Sequence, residues 1–282
     1  MAGGTYRFVV ADVFTDKPLA GNQLAVFTDA RELSEDLLQP LAKEIGFSET
    51  VFVYPPQGGG HVRIRIFTPA RELPFAGHPT LGTAFVLGGP LQLVEIGIET
   101  GAGLIPVRLE REGARITFGW MTQPVPSVEP LEQPERLLAV LGVQASQLPI
   151  ELYDNSLRFT YVALESEVAV AAVRPDMSAL AQLDFLGANC FAGEGRRWKT
   201  RMFAPGSGVA EDPATGSAAG PLACHLARHG RIAFGDEIEI SQGAEVGRPS
   251  TLYARVEGAP ERIERVDVGG SAVIVARGEF RL

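Results

Sequence analysis

The sequence predicts an α+β protein with two similar halves, each a mostly antiparallel sheet wrapped around one buried apolar helix. Three observations support this class: a strand–turn–helix pattern occurs twice, short strands outnumber helices in both halves, and a proline-rich stretch separates them. The chain has 282 residues, of which 45% are hydrophobic and 21% charged. That length suits one large domain or two of ordinary size.

The repeated pattern is the strongest signal in the chain. Its first copy starts at Phe67-Thr-Pro and its second at Phe203-Ala-Pro, and each leads to a turn of small residues at the start of an apolar helix. The predicted helices cover 79–88 and 216–229. Pro79 suits the first turn, where its missing N–H is no loss. The residues that follow leave no polar face, so both helices are expected to be buried.

A buried helix N-terminus leaves backbone N–H groups without partners inside the helix and attracts anions. Two such ends facing each other would clamp a small carboxylate. The alternative is two core helices with ordinary caps. The repetition, together with a titratable side chain in each turn, His78 and Asp212, favours a ligand site.

The first half reads as strands with one surface helix. Ser34 is predicted to cap this helix, Glu35 and Asp36 suit its first turn, and Gly46 ends it. Alternating or β-branched runs predict strands at 6–14, 23–27, 51–54, 61–67, 94–100, 104–110 and 115–120.

The second half repeats this order after a linker. Four prolines, at positions 124, 126, 130 and 134, mark the linker region 121–134. We therefore predict domains at 1–120 and 121–269. Predicted helices follow at 134–141 and 176–183, and predicted strands at 157–164, 198–203, 237–241, 252–257, 262–268 and 272–280.

Composition and charge exclude several functions. A net charge of −9 argues against nucleic acid or an anionic membrane as the main partner. Two cysteines, Cys190 and Cys224, are too few for a disulfide framework and suggest reduced thiols of a cytoplasmic protein. No apolar run reaches the length of a membrane span.

Four residues carry the candidate chemistry. Alone, Glu49 fits a surface loop, His78 a structural histidine and Asp212 a helix N-cap, while Ser217 can cap its helix or bind a ligand. Together they would supply a carboxylate base, an imidazole, a second carboxylate and an anion site at a helix end. Such groups can move a proton on a carbon acid.

Other patterns are weaker. His225 and His229 have a spacing that a metal could use, but no acidic or cysteine partner accompanies them in the sequence, so no metal site is predicted. Neither a dinucleotide loop nor a paired-cysteine motif is present. The loop from Gln242 to Ser250 is expected to be structural, although its Arg248 could reach a carboxylate. The basic residues Arg196, Arg197, Lys199 and Arg201 are expected to form a solvated strand face.

At these residues the sequence resembles the PhzF family of phenazine-biosynthesis isomerases, within the diaminopimelate epimerase-like fold. The resemblance runs nearly from end to end. The motifs that carry it are Ser48-Glu-Thr, Arg65-Ile-Phe-Thr-Pro, Glu72-Leu-Pro-Phe-Ala-Gly-His-Pro-Thr-Leu-Gly-Thr-Ala, Asn189-Cys-Phe-Ala-Gly-Glu-Gly-Arg-Arg-Trp, Glu211-Asp-Pro-Ala-Thr-Gly-Ser-Ala-Ala-Gly-Pro-Leu and Gln242-Gly with Gly247-Arg-Pro-Ser.

The resemblance implies trans-2,3-dihydro-3-hydroxyanthranilate isomerase activity in a homodimer, without metal or cofactor. It implies that the strand at 270–282 completes the first half. It implies that Glu49 is the general acid/base. The other implied site residues are His78 and Asp212 as further catalytic groups, and Ser48, Gly77, Gly216 and Ser217 as substrate-binding groups.

One departure from the wider superfamily narrows the chemistry. Racemases and epimerases of this fold carry a cysteine in each turn, whereas Ala76 and Pro213 stand at the matching positions here. Racemisation by two thiols is therefore excluded. The mechanism left is proton transfer by a single base, Glu49, on one face of a ring. The alternatives are a PhzF-like isomerase with another small carboxylate substrate, and a non-catalytic homologue that works through protein contacts.

Overall fold

The computed structural model describes residues 4–282, so Met1-Ala-Gly, within the first predicted domain, lies outside the described part. The chain divides into two compact units, Met1–Thr122 together with Gly269–Leu282, and Gln123–Val268. In chain order, the second unit therefore lies between two segments of the first. Among residues 4–282, no helix is both long and apolar enough to cross a bilayer.

Within its described residues, the first unit is a mixed sheet with two helices. Elements are numbered in chain order, and the helices are α1 (Glu35–Ile45) and α2 (Gly77–Leu91). The strands are β1 (Thr5–Val13), β2 (Asn22–Phe27), β3 (Glu49–Tyr54), β4 (Val62–Phe67), β5 (Glu72–Leu73), β6 (Glu95–Thr100), β7 (Gly103–Glu112), β8 (Arg115–Gln123) and β18 (Ala272–Arg281).

Strand pairing in the first unit alternates in a fixed order. β1 and β2 are antiparallel, β2 and β3 parallel, β3 and β4 antiparallel, β4 and β6 parallel, and β6 and β7 antiparallel. β8 extends the sheet beyond β7, and β18 pairs with β1 on its other side. The β1–β18 register runs from Thr5 opposite Arg281 to Val13 opposite Ala272. The last strand of the chain is thus a neighbour of the first.

Helix α2 is the core of this unit. It is buried from Gly77 to Val86 and again at Gly88. It packs against β1, β2, β3, β6, β7 and β18, which surround it because the helix has no polar face to present to water. Gly82 allows the closest approach, since a Cβ there would lie 2.6 Å from Cδ2 of Leu24. The helix begins two residues before the predicted position 79 and ends at Leu91.

The second unit contains four α-helices, two short 3-10 helices (Pro205–Ser207 and Ala244–Val246) and the remaining strands. The helices are α3 (Pro134–Leu141), α4 (Glu167–Ala172), α5 (Met177–Leu180) and α6 (Gly216–Arg228). The strands are β9 (Ser127–Pro130), β10 (Glu151–Asp154), β11 (Arg158–Ala163), β12 (Gly187–Glu194), β13 (Arg197–Ala204), β14 (Val209–Asp212), β15 (Glu237–Gln242), β16 (Ser250–Ala259) and β17 (Arg262–Gly270).

The second unit repeats the pairing order of the first. β10 and β11 are antiparallel, β11 and β12 parallel, β12 and β13 antiparallel, β13 and β15 parallel, and β15 and β16 antiparallel. The short strands β5 and β14 pair with β4 and β13 just before the buried helices. The repeat in the sequence is therefore a repeat of topology, and the α+β fold predicted from it is confirmed.

Helix α6 is the core of the second unit. All its residues from Gly216 to Ala227 are buried. Two polar side chains reach carbonyls in its first turn. Tyr161 Oη, from β11, donates to Ala218 O at 2.8 Å, and Asn155 Nδ2, from the residue after β10, donates to Ser217 O at 2.9 Å. The predicted helix at 176–183 is shorter, because only Met177–Leu180 is helical after its N-cap, Asp176.

Candidate active site residues in two half-sites

Two parallel strands bring the first set of candidate residues together. β2 begins at Asn22 and β3 at Glu49, and Leu24 lies opposite Glu49 in the register. Because parallel strands point the same way, their starting residues meet at one edge of the sheet. Ser48 Oγ donates to Asn22 Oδ1 at 3.3 Å across this edge. The segment that carries Glu49 is thereby tied to the start of β2.

The turn before α2 adds the histidine to this edge. His78 lies in the first turn of the helix, with only 3% of its side chain exposed. Its Nδ1 lies 3.1 Å from Asn22 Nδ2, and its Nε2 lies 3.6 Å from Glu49 Oε2. Asn22 therefore contacts both Ser48 and His78. We call Asn22, Ser48, Glu49, Gly77 and His78 the first half-site.

Burial keeps the imidazole neutral. Desolvation lowers the pKa of His78 to about 3, and a weaker hydrogen bond with the Gln23 backbone opposes the shift. At neutral pH, His78 and Glu49 are therefore not an ion pair. Asn22 Oδ1 faces Ser48, so its amide nitrogen faces the ring, and an amide nitrogen only donates. We therefore assign the proton to Nε2, which lies 3.6 Å from Glu49 Oε2, beyond hydrogen-bond distance.

The second set of candidate residues lies in the turn before α6. Asp212 ends β14, and Thr215 is the N-cap residue of the helix. Thr215 Oγ1 donates to Asp212 Oδ2 at 2.6 Å. Asp212 is thus not the helix N-cap that its sequence context allowed. It is a carboxylate, 5% exposed, held by the side chain of the true N-cap.

Gln242 fixes this turn from β15. Its Nε2 donates to Asp212 O at 2.8 Å and to Thr215 Oγ1 at 3.0 Å, and its Oε1 accepts from Thr215 N at 3.1 Å. Gly243 follows at φ +81, and a Cβ there would lie 2.4 Å from Pro213 O. A larger residue would push the loop away from the turn. The structural role expected for the Gln242 loop therefore consists in holding the candidate site.

The start of α6 completes the second half-site. Gly216 and Ser217 form its first turn and are buried, and Gly216 O accepts from Gln123 Nε2 at 2.7 Å. A helix N-terminus of this kind offers N–H donors and the positive end of the helix dipole to an anion. We call Asp212, Thr215, Gly216, Ser217 and Gln242 the second half-site.

The structure thus groups the seven residues predicted for the site into these two sets. Ser48, Glu49, Gly77 and His78 lie in the first unit; Asp212, Gly216 and Ser217 lie in the second. Sequence reasoning missed Asn22 and Thr215. A polar residue that opens a buried strand after a glycine turn, as Asn22 does, is the signal that could have found the first.

The two cysteine thiols are unsuited to proton transfer. Cys190 and Cys224 are free and buried, and desolvation raises the pKa of each to about 12. Neither forms a thiolate at neutral pH, so neither is suited to proton abstraction. Ala76 is the N-cap residue of α2, at a position where the related racemases are expected to carry a cysteine.

One expectation about metal ligands is wrong. His225 and His229 were expected to lack an acidic partner, but β10 places Glu151 Oε2 at 3.2 Å from His225 Nδ1 and 2.9 Å from His229 Nε2. The carboxylate comes from 74 residues away, so the spacing along the helix gave no sign of it.

The duplicated topology and the buried helix in each unit define a protein of the diaminopimelate epimerase-like α+β class. A hydroxyproline epimerase from Agrobacterium vitis has this fold: it superposes with a TM-score of 0.70 at 12% identity, covering 99% of this chain and 93% of the epimerase. Such a low identity supports the shared fold alone.

Sequence comparison gives the family. The family model described as "Phenazine biosynthesis-like protein" matches residues 11–278, and the chain belongs to this PhzC-PhzF family. A trans-2,3-dihydro-3-hydroxyanthranilate isomerase from Pseudomonas aeruginosa is 50% identical over 98% of this chain and 100% of its own length. A PhzF-family protein from Bacillus anthracis superposes with a TM-score of 0.83 at 25% identity, covering 98% and 99% of the two chains.

Proposed function

We propose that the protein is a trans-2,3-dihydro-3-hydroxyanthranilate isomerase in which Glu49 is the general acid/base. The observation that carries the proposal is the first half-site, where Glu49 Oε2 lies 3.6 Å from a buried, neutral imidazole. The full-length similarity to an isomerase of this name supports the choice of substrate.

The low pKa of His78 supports the choice of Glu49 as the base. A group with a pKa near 3 holds almost no proton at neutral pH and is a weak base. Glu49 is the remaining titratable group of this half-site, and 12% of its side chain is exposed. His78, whose Nε2 lies 3.6 Å from Glu49 Oε2, is assigned the role of orienting the reacting enol by hydrogen bonding.

The reaction needs no redox partner and no water. Glu49 takes a proton from one ring carbon, the C–H electron pair shifts into the adjoining unsaturated system, and the same carboxyl group returns the proton to a second carbon on that face. One C–H bond breaks and one forms, and the resulting enol tautomerises to a ketone. A carboxylate that first accepts and then donates is sufficient for both steps.

We also propose that Asp212, Gly216 and Ser217 bind substrate, with Asp212 as a further catalytic group. Support comes from the buried turn, the start of α6 and the two side chains, Thr215 and Gln242, that hold the Asp212 segment in place. Ser217→Ala is expected to raise KM with a smaller effect on kcat if the hydroxyl binds substrate in the ground and transition states alike.

The direct test is Glu49→Gln. The amide is nearly isosteric but cannot take a proton, so kcat should fall by about 10²–10⁴-fold while substrate affinity, measured by calorimetry, is retained. Glu44→Gln is a matched control, since it makes the same change at an exposed position on α1. Near-normal turnover of Glu49→Gln, with an inactive His78→Ala, would transfer the role to the histidine.

Isotope transfer tests the single-base mechanism separately. Substrate deuterated at the carbon that loses its proton, converted in ordinary water, should give product that keeps part of the label at the receiving carbon. Complete loss of label at every conversion, including the earliest turnovers, would indicate exchange with solvent through other groups.

The resemblance to PhzF enzymes is the support for a homodimer, which sedimentation equilibrium tests directly. We propose a cytoplasmic location because both thiols of the chain are free. No metal or cofactor is assigned to the reaction.

A further inference from the structure

A second cluster of titratable groups lies in the second unit, at the other end of α6. Its centre is Glu151 on β10, with 12% of the side chain exposed. Oε2 of this carboxylate lies 2.9 Å from Tyr153 Oη, 3.2 Å from His225 Nδ1, 3.0 Å from Arg228 Nη1 and 2.9 Å from His229 Nε2.

One carboxylate oxygen cannot accept four full hydrogen bonds. A carboxylate has about four lone-pair sites shared between its two oxygens. Here the four contacts converge on Oε2, whereas Oε1 is contacted by Arg228 Nη1 at 3.1 Å. Each neutral imidazole also has one nitrogen with a lone pair instead of a proton. The four contacts to Oε2 therefore cannot all be hydrogen bonds, and each imidazole keeps a nitrogen lone pair that could bind a metal ion.

We propose that Glu151, His225 and His229 form a binding site for a divalent transition metal ion of the zinc class. The three ligand atoms all lie within 4.8 Å of one another. A tetrahedral ion with bonds of about 2.0–2.1 Å separates its ligand atoms by about 3.4 Å. The two distances from Oε2 are close to this value, and the two imidazoles would move towards each other to bind one ion. Histidines four residues apart share one helix face, and the strand supplies the carboxylate.

Arg228 is the competitor for this site. Its guanidinium, a permanent cation, lies against the same oxygen and would be repelled by a metal ion. A quarter of its side chain is exposed, so it can turn outwards when the ion enters. The Arg228 guanidinium and the metal ion therefore compete for the Glu151 carboxylate, which binds one of them at a time. Tyr153 Oη or a water molecule would complete four-coordination.

The distance along α6 separates this site from the proposed chemistry. His225 lies eight residues after Ser217, which corresponds to about 12 Å at about 1.5 Å per residue. A metal ion here would link β10 to the end of α6 and stabilise the second unit. Turnover would not depend on this ion, so an experiment that refutes the metal site would leave the proposed function untouched, and the reverse also holds.

Cobalt(II) and zinc titrations of the chelator-treated full chain test the proposal. One Co²⁺ per chain should produce the intense visible bands of a tetrahedral site, and Zn²⁺ should abolish them by displacement. Zn²⁺ should also raise the thermal unfolding midpoint. His229→Gln should weaken binding by at least about 100-fold, since loss of a ligand exceeds the usual effect of losing an outer hydrogen bond. His61→Gln, at an exposed position in the first unit, is the control.

Arg228→Gln gives the second readout. Removal of the competing cation should tighten Co²⁺ binding by at least about tenfold. A merely structural cluster would be weakened by this change and would show no gain in affinity. Absence of tetrahedral bands in both the natural chain and Arg228→Gln, or Co²⁺ binding that is unchanged in His229→Gln, would overturn the site.

Discussion

Acidification should destabilise this protein, and the buried imidazole of His78 should supply a measurable part of the effect. His78 has a pKa of about 3 in the folded chain and about 6.5 when unfolded. Between these values the unfolded state binds a proton that the folded state does not. The free energy of unfolding is therefore unaffected by this group above pH 6.5 and falls as the pH drops from 6.5 towards 3.

The magnitude follows from the shift. Each pH unit across this window costs about 1.4 kcal/mol per proton, so His78 should remove about 2 kcal/mol at pH 5 and about 5 kcal/mol below pH 3. The side chain is almost completely buried, so solvent screening gives little relief. Against a total stability of about 5–15 kcal/mol, this loss is large.

Urea unfolding at pH 7.5 and pH 5.0 measures the effect. His78→Gln removes the titrating group but keeps a side chain that can hydrogen-bond to Asn22. Its loss of stability between the two pH values should be smaller than that of the natural chain by about 2 kcal/mol. Trp198→Phe in both chains leaves Trp120 of the first unit as the fluorescent reporter.

His61→Gln makes the same change at an exposed position and is the matched control. Equal pH dependence in the natural chain and His78→Gln would refute the reasoning. It would mean that His78 is protonated in the folded state and pairs with Glu49 as an ion pair, which would also remove the argument that the histidine is not the base.

Three further outcomes are expected. Asn22→Ala should lower kcat by about tenfold with little change in KM, because the imidazole loses the partner that fixes its tautomer, and ring ¹⁵N shifts should report a mixture of tautomers. Gly82→Ala should cost about 1–3 kcal/mol of stability, because the new methyl group would lie 2.6 Å from Leu24, whereas Gly89→Ala on the same helix meets nothing within 4 Å and should be neutral or stabilising. Dialysis against a chelator should leave turnover unchanged; activity that is lost and then restored by zinc would contradict the metal-free mechanism.

The sequence predicted the elements with a clear local pattern, but it missed α4, β10 and β12, and the predicted linker 121–134 contains strand β9. The run after Pro79 has no polar face, so no surface location is open to it, and α2 is buried. Helix 134–141 begins at a proline and ends before Gly142, as its signals indicated. In strand β1, more exposed and less exposed side chains alternate over the first four residues. In each case, the residues within one element carry the information.

The partners of side chains could not be predicted in this way. Arg201 was expected to be solvated, but it is 5% exposed and bonds to Glu211 at 2.7 and 2.8 Å. Its Nη1 also donates to Val173 O at 2.8 Å, just beyond α4. The packing of α4 over β13 makes this position an interior one. Asn22 and Glu151 were missed for the same reason, since topology chooses their partners.

The pairing of β1 with β18 has a consequence for biosynthesis. Strand β18 leaves the ribosome about 150 residues after β8, which corresponds to about 7–30 s at ~5–20 residues per second. The second unit is contiguous in the chain and can fold in that interval. The first unit must wait with one flank of β1 open and an apolar α2 incompletely covered. Chaperone demand during translation should therefore fall on the half that is synthesised first.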